Sequence, residues 1–380
     1  MIVYTRKRKD IHTMNVSDKI LRKDEKAEFN LRELYELHGY KRFRMSKFEE
    51  YDLYVENKNF LVSENILSFH DLNGKLMALK PDVTLSIVKN IKEDSEGAQK
   101  LYYNENVYRT ATGAHEFKEI MQVGLEYIGN IDTYSMCEVI SLASESLAKI
   151  SDRYILDISH MGFVSGLLSE IDFPYGAKDE MVTYIGEKNP HEIKRLCARL
   201  GISDELCASI VKMSSLYGPF EDTLSSAKEL VMNADMESAV KELEAVYSVL
   251  SETADASKFR LDFSIVNDMS YYNGIIFQGF VEGIPASVLS GGRYDNLLRK
   301  LGKNKDAVGF AVYLDLLERY DMQTKEYDVD VLYVYDSSAD AATVAKTVKE
   351  ITRNGKSVIA QSSANTDIKY KEIVFANERE

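Results

Sequence analysis

The stretch Gln122-Val123-Gly124-Leu125-Glu126-Tyr127-Ile128-Gly129 places Val123 and Leu125 between polar or small residues. In an extended chain alternate residues share a face, so Gln122, Gly124 and Glu126 look to one side and the apolar pair to the other. A carboxylate and an amide aimed into one space, with a glycine between them leaving room for a ligand, distinguish this strand from a plain core strand. Exposed outer-face polar residues are the competing reading.

Working outward, Lys100 to Arg109 reads as the preceding strand, and Ile66–His70 and Lys75–Leu79 as a hairpin turning at Asn73-Gly74. Strand text also occurs at Tyr40–Arg44. Ser17 is expected to cap a helix running to His38, with a mostly apolar stripe of Ile20, Leu21, Phe29, Leu31, Leu34, Tyr35 and Leu37. Further helices are expected at Pro81–Lys92 and Thr133–Lys149, with a strand at Tyr154–Ser159. From Ser165 to Val249 the text is helical throughout. Strands return at Phe259–Ile265, Gly274–Val281 and Ala286–Leu289, and Ala307–Arg319 reads as a closing helix.

The order sheet, helices, sheet implies an α+β body with an antiparallel sheet flanked by helices and interrupted by a helical insertion. The expected parts are residues 1–164 and 256–323 for the body, 165–255 for the insertion and 328–380 for a small α/β unit. That last unit reads strand, helix, strand, strand at Val329–Tyr335, Asp340–Asn354, Ser357–Gln361 and Tyr370–Ala376.

Composition narrows the function. Among 380 residues, 47 Lys and Arg stand against 61 Asp and Glu, a net charge of -14. Such a surface repels a phosphate backbone on average, so no nucleic-acid partner is expected. No window approaches the ~20 apolar residues of a membrane span, and a cytoplasmic protein is expected. The three cysteines, Cys137, Cys197 and Cys207, have no metal or redox spacing and read as core thiols, so no metal or cofactor is expected.

Two more clusters mix turn residues with polar groups. Lys80-Pro81-Asp82-Val83-Thr84 puts a carboxylate and a hydroxyl after a hairpin, where Asp82 could equally serve as a helix-start residue. Tyr271-Tyr272-Asn273-Gly274 and Ser290-Gly291-Gly292-Arg293-Tyr294-Asp295 could line a pocket, or the glycine pair could be a turn opening a helix.

These motifs resemble, in order and spacing, the catalytic core of histidyl-tRNA synthetase over Met14 to Tyr320. Leu79 to Thr84 looks like the family's LRPE/D-x-T segment, Tyr108-Arg109 like its motif 2 strand, and Gln122 to Gly129 like the strand after it. Tyr271-Tyr272 is similar to its LDYY element, Gly291 to Asp295 to GGRYD, and Val308 to Ala311 to the opening of motif 3. The resemblance implies a site for free histidine: Asp82, Thr84 and Gln122 at the amino-acid end, Glu126, Tyr271 and Tyr272 at the imidazole, and Arg109 retained beside them.

The chain departs from the family where ATP would be held. Asn267 stands in place of an arginine, Leu316 in place of the motif 3 arginine, and the motif 2 loop offers Glu116 and Glu119 with only Lys118 as a fixed cation. Without those cations, charge developing on the α-phosphate would go unneutralised. The C-terminal unit resembles the start of the anticodon-binding domain but is too short to complete it. Ser46 occupies the motif 1 proline position, which leaves a homodimer expected but its geometry open.

A histidine site kept and an ATP site lost resembles the regulatory subunits of the short-form ATP phosphoribosyltransferase. The resemblance implies no catalysis in this chain, a separate catalytic subunit as partner, and L-histidine as effector, with the motif 2 loop or Tyr271–Gly274 closing over it. The alternatives are a divergent active histidyl-tRNA synthetase and a histidine-binding paralogue serving another partner.

Overall fold

The computed structural model describes residues 21–57, 66–91, 97–110, 116–266, 271–319, 327–336, 338–364 and 367–376. Two compact units divide at Tyr320 and Asp321. In the first, the two strands foreseen at Lys100–Arg109 and Gln122–Gly129 pair as an antiparallel ribbon, β5 (Gln99–Thr110) with β6 (Phe117–Gly129). They lie in a nine-stranded sheet among the described residues.

Its remaining members are β1 (Lys41–Arg42), β7 (Tyr154–His160), β8 (Tyr217–Pro219), β9 (Phe259–Asp262), β10 (Ile275–Val281), β11 (Leu289–Arg293) and β12 (Asp306–Tyr313), in the order β1-β5-β6-β12-β11-β10-β7-β9-β8. Neighbours run antiparallel except at β1/β5 and β7/β9. The expected antiparallel α+β body is what the sheet shows. A separate small sheet joins β2 (Phe48–Glu50), β3 (Ser68–His70) and β4 (Leu76–Leu79), the last two forming the foreseen hairpin.

Alternation sorts the large sheet into two faces. Val123, Leu125, Ile158, Phe277, Phe310 and Val312 are buried in one apolar core. Helix α1 (Lys23–Leu37) packs on β5 and β6, and α4 (Thr133–Ile150) on β7, β10 and β12. Inside that core the Tyr35 hydroxyl shares a 2.9 Å hydrogen bond with Ser146 Oγ. At the start of α4, Asp132 accepts from the Ser135 N–H, satisfying an otherwise orphaned donor.

Between β7 and β9 run α5 (Met161–Leu168), α6 (Ala177–Gly186), α7 (Pro190–Leu200), α8 (Asp204–Ser214), α9 (Phe220–Lys228) and α10 (Ala234–Thr253). The stretch is not helical throughout, because β8 leaves it to pair with β9 at the sheet edge. Its buried side chains, among them Met181, Ile210, Leu243 and Val246, are continuous with the core under the sheet. All three cysteines are buried and free, as their spacing suggested.

Several sequence expectations are corrected. The proposed cap Ser17 lies outside the described residues, and the helix there begins at Lys23. Its stripe is Ala27, Leu31, Leu34 and Tyr35, whereas Phe29 (50% exposed) and Leu37 (79%) fall off it. Ala307–Arg319 is not one helix. Asp306–Tyr313 forms a strand inserted between β6 and β11, and only α12 (Leu314–Arg319) is helical. An apolar run buried on both sides carries no period that separates a central strand from a core helix. Gly291 and Gly292 likewise lie inside β11, not in a turn, and a side chain at Gly291 would overlap Phe310.

The remaining short helices of this unit are α2 (Tyr51–Val55), α3 (Thr84–Asn90) and α11 (Asp295–Lys300). In the second unit, β13 (Val329–Val334) pairs in parallel with β14 (Val358–Gln361) and β15 (Tyr370–Phe375), and α13 (Ala341–Arg353) connects the first two. Asp340 caps that helix through the Thr343 N–H.

The burial difference is directly testable. Leu125→Ala, at a fully buried position, is expected to lower the unfolding free energy in urea by about 2–5 kcal/mol. Leu37→Ala, on the exposed side of α1, is expected to change it by under about 0.5 kcal/mol.

Candidate functional site

The sheet face opposite the core carries the polar residues. Glu126 is 2% exposed, and both its oxygens are occupied: Thr84 Oγ1 donates to Oε1 at 2.9 Å and the Tyr294 hydroxyl to Oε2 at 2.5 Å. Space for this carboxylate exists because its register partner on β12 is Gly309, where any Cβ would collide with it. Thr84 arrives at the first turn of α3, Tyr294 just ahead of α11, so three distant segments meet on one side chain.

Asp82 lies two residues before Thr84 and serves at the helix start. Its Oδ1 accepts the Leu85 N–H at 2.8 Å, tying the start of α3, and its Oδ2 stands 3.6 Å from Arg109 Nη2. Arg109 is itself anchored by donating from Nε to the Pro81 carbonyl at 2.7 Å. Lys80, fully buried, donates to Glu105 Oε2 at 2.5 Å, which fastens the segment before α3 to β5.

Aromatic rings cover the floor. Tyr271 and Tyr272 meet edge-to-face at 4.7 Å, and Tyr271 lies 5.6 Å from Tyr294. A Cβ on Gly292 would come within 2.8 Å of the Tyr272 ring, so that ring lies on the glycine. Gly124 does not open onto empty space: the Tyr103 ring crosses it, with the hydroxyl 2.5 Å from where a Cβ would be. The tyrosine segment is held from behind, because Asn273 donates from Nδ2 to Asp295 Oδ2 at 2.9 Å and accepts from the Asp295 N–H at 2.8 Å. Asp295, 1% exposed, also takes the Arg293 Nε–H and the Ala307 N–H.

Of the residues anticipated from sequence, Asp82, Thr84, Glu126, Tyr271 and Tyr272 converge. Arg109 reaches Asp82. Gln122, 3% exposed, shares the face but stands four residues from Glu126 along β6, about 13 Å away at strand spacing. Arg293 does not line the site, being engaged by Asp295 and Asp306. Tyr103, Tyr294 and the Lys80–Glu105 pair were not singled out, although Tyr103 and Glu105 share the two-residue phase that opposes Gly124 and Gln122.

The replaced arginine position Asn267 and residues 111–115 of the motif 2 loop lie outside the described residues. Leu316 packs against the apolar core under the sheet, so its side chain offers no cation there. Glu119 accepts from Asn106 and Tyr108 along the β5–β6 ribbon. Among the described residues no group of His, Cys, Asp and Glu side chains could hold a metal ion, and no helix is long and apolar enough to cross a membrane.

Electrostatically the site is a buried acid pair. Burial pushes the Glu126 carboxyl up to about 8, opposed by the Tyr294 and Thr84 hydrogen bonds and reinforced by Asp82. Burial also raises Asp82, with the Arg109 charge pulling it back. The phenols of Tyr103, Tyr271 and Tyr294 are all driven well above their ordinary value by burial. Such a site suits a ligand that brings N–H donors or positive charge, either of which relieves two desolvated carboxyls.

Fold and site together define a histidyl-tRNA-synthetase-like protein, and residues 13–317 match the family model described as Histidyl-tRNA synthetase. A solved structure from Bacillus halodurans C, described as an ATP phosphoribosyltransferase regulatory subunit/histidyl-tRNA synthetase, superimposes with a TM-score of 0.72 at 24% identity, covering 93% of each chain. A chain of the ATP phosphoribosyl transferase (HisG:HisZ) complex from Thermotoga maritima does so with a TM-score of 0.61 at 22% identity, covering 76% of this chain and 96% of that one. The ATP phosphoribosyltransferase regulatory subunit of Caldanaerobacter subterraneus subsp. tengcongensis is 31% identical over 293 residues, 76% of each chain. This chain belongs to the family of ATP phosphoribosyltransferase regulatory subunits.

The raised Glu126 carboxyl makes folding pH-dependent. Between its ordinary value of 4.5 and about 8 the folded chain holds a proton that the unfolded chain releases, so its contribution to stability is lost as pH rises through that window. Glu126→Gln removes the titration. The difference in unfolding free energy between variant and parent is expected to shift in favour of the variant from pH 5 to pH 8, and a difference that stays flat over that range contradicts the assignment.

Proposed function

We propose that this chain is the non-catalytic regulatory subunit of an ATP phosphoribosyltransferase and that it senses free histidine at the Glu126 site. Family membership supports the regulatory role and a separate catalytic chain. One observation carries the ligand: a buried carboxyl group, supplied with the Thr84 and Tyr294 hydroxyls, lies near the ring of Tyr271 and a second acid, Asp82. An imidazole N–H gives Glu126 the donor that lets it ionise, the rings stack on its plane, and the ammonium falls to Asp82. A ligand lacking the N–H brings no donor that favours the ionised form, so Glu126 stays in the protonated form that burial favours.

Control of the partner is a matter of differential affinity. Histidine inhibits the partner only if the inhibited assembly binds it more tightly, typically by about 1–3 kcal/mol. The segment Tyr271–Gly274 is the two-state element in this reading. It touches the Glu126 site through Tyr271, and behind the site it is fixed to Asp295 through Asn273.

Calorimetric titration of the purified chain tests the reading. Histidine is expected to bind, and Glu126→Ala and Asp82→Ala are each expected to weaken it at least about tenfold, the equivalent of ~1.4 kcal/mol. The parent chain is expected to show no histidine-dependent exchange of pyrophosphate into ATP. Brisk exchange would make it a synthetase and overturn the proposal, as would histidine affinity indifferent to both substitutions.

A further inference from the structure

Tyr103, 2% exposed, stands on β5 opposite Gly124 of β6, on the sheet face that carries Glu126. Its ring lies across that glycine, and a Cβ at Gly124 would come within 2.5 Å of the phenolic oxygen. Burial holds the phenol well above its ordinary value, and the nearby Glu126, Asp82, Tyr313 and Tyr272 push it the same way. The hydroxyl therefore keeps its proton and lies among the residues of the Glu126 site.

The chain gives this donor no acceptor. Both Glu126 oxygens are filled by Thr84 and Tyr294, Asp82 Oδ1 takes the Leu85 N–H, and the Tyr313 hydroxyl is paired with Ser290 Oγ at 2.8 Å. Among the described residues no hydrogen bond forms at the Tyr103 hydroxyl. A hydroxyl enclosed in this way is costly unless something else completes it, and a ligand's acceptor does so.

Position along the strand selects which part of the ligand that is. Gly124 lies one two-residue repeat from Glu126, about 7 Å, whereas Gln122 lies two repeats away. With the imidazole N–H at Glu126 and the ammonium at Asp82, a free histidine still offers two acceptors. Its second ring nitrogen stays with the ring beside Glu126, and its carboxylate extends away from the ring, toward Gly124. Arg109 is drawn elsewhere, donating from Nε to the Pro81 carbonyl at 2.7 Å with Nη2 3.6 Å from Asp82.

We propose that Tyr103 is a specificity-determining residue of the histidine site, its hydroxyl donating to the ligand's α-carboxylate, so that the chain distinguishes the amino acid from imidazole amines that lack one. The proposal rests on the histidine reading of the Glu126 site and adds to it the group that reads the carboxylate.

Calorimetric titration of the full-length chain and of Tyr103→Phe, each with L-histidine and with histamine, tests it. Histamine keeps the imidazole and the ammonium and lacks the carboxylate. Tyr103→Phe is expected to reduce the preference for L-histidine over histamine at least about tenfold, the loss of a hydrogen bond to a charged group, with histamine affinity changed by less than about twofold. Its urea midpoint is expected to match the parent's, because the oxygen removed holds nothing in the folded chain. A preference left unchanged, whether both ligands bind as before or both weaken alike, overturns the role of Tyr103 and leaves the histidine site standing. A parent chain that binds neither ligand overturns the histidine reading and the role of Tyr103 with it.

Discussion

A carboxylate placed at the middle of a nine-stranded sheet has to be given donors by the chain itself, and supplying Glu126 with two hydroxyls sets much of the surrounding architecture. Thr84 must reach it, which fixes where α3 starts and explains why Asp82 and Arg109 tie that start down. Tyr294 must reach it too, which requires α11 to begin where β11 ends. Gly309 must stay bare so that the side chain can lie across the strand. Each of these is a local oddity until the buried acid is put at the centre.

Behind the tyrosines a second buried acid does similar work. Asp295 gathers Asn273, Arg293 and the Ala307 N–H, joining the loop after the undescribed residues 267–270 to the start of β12. The two acids differ in their company. Asp295 faces a cation, whereas Glu126 faces hydroxyls alone and rises to about 8. One is a structural clasp, and the other keeps a deficit that a nitrogen-bearing ligand can fill.

Much of this was legible in the sequence because period and punctuation survive folding. Alternation in Gln122–Gly129 identified the face that bears Glu126, Asn73-Gly74 marked its hairpin, and the α4 pattern in Thr133–Lys149 needed only one added residue. What was not legible lacked a period. Ala307–Val312 is a continuous apolar or small-residue run, with strands on both edges and most of its residues buried, so no two-residue alternation in it said strand. Gly291-Gly292 left close approach and a turn both open because glycine marks either, and only the presence of Phe310 across the sheet decides between them. Tyr294 sat inside a recognised motif, yet its reach to Glu126 spans 168 positions, a pairing that no local pattern encodes.

That span has a consequence for how the chain is made. On the ribosome, β6 with its acid emerges long before Tyr294 and Gly309, and β12, its partner on one side, follows only after the entire run of helices from α5 to α10. Until then one edge of β6 and the carboxylate on it lack their native neighbours. The intervening helices, built on contacts close in sequence, can gather during that wait, while closure of the sheet awaits the last strand. A chain cut short before Gly309 therefore contains every residue assigned to histidine but lacks the strand that closes the sheet beside Glu126.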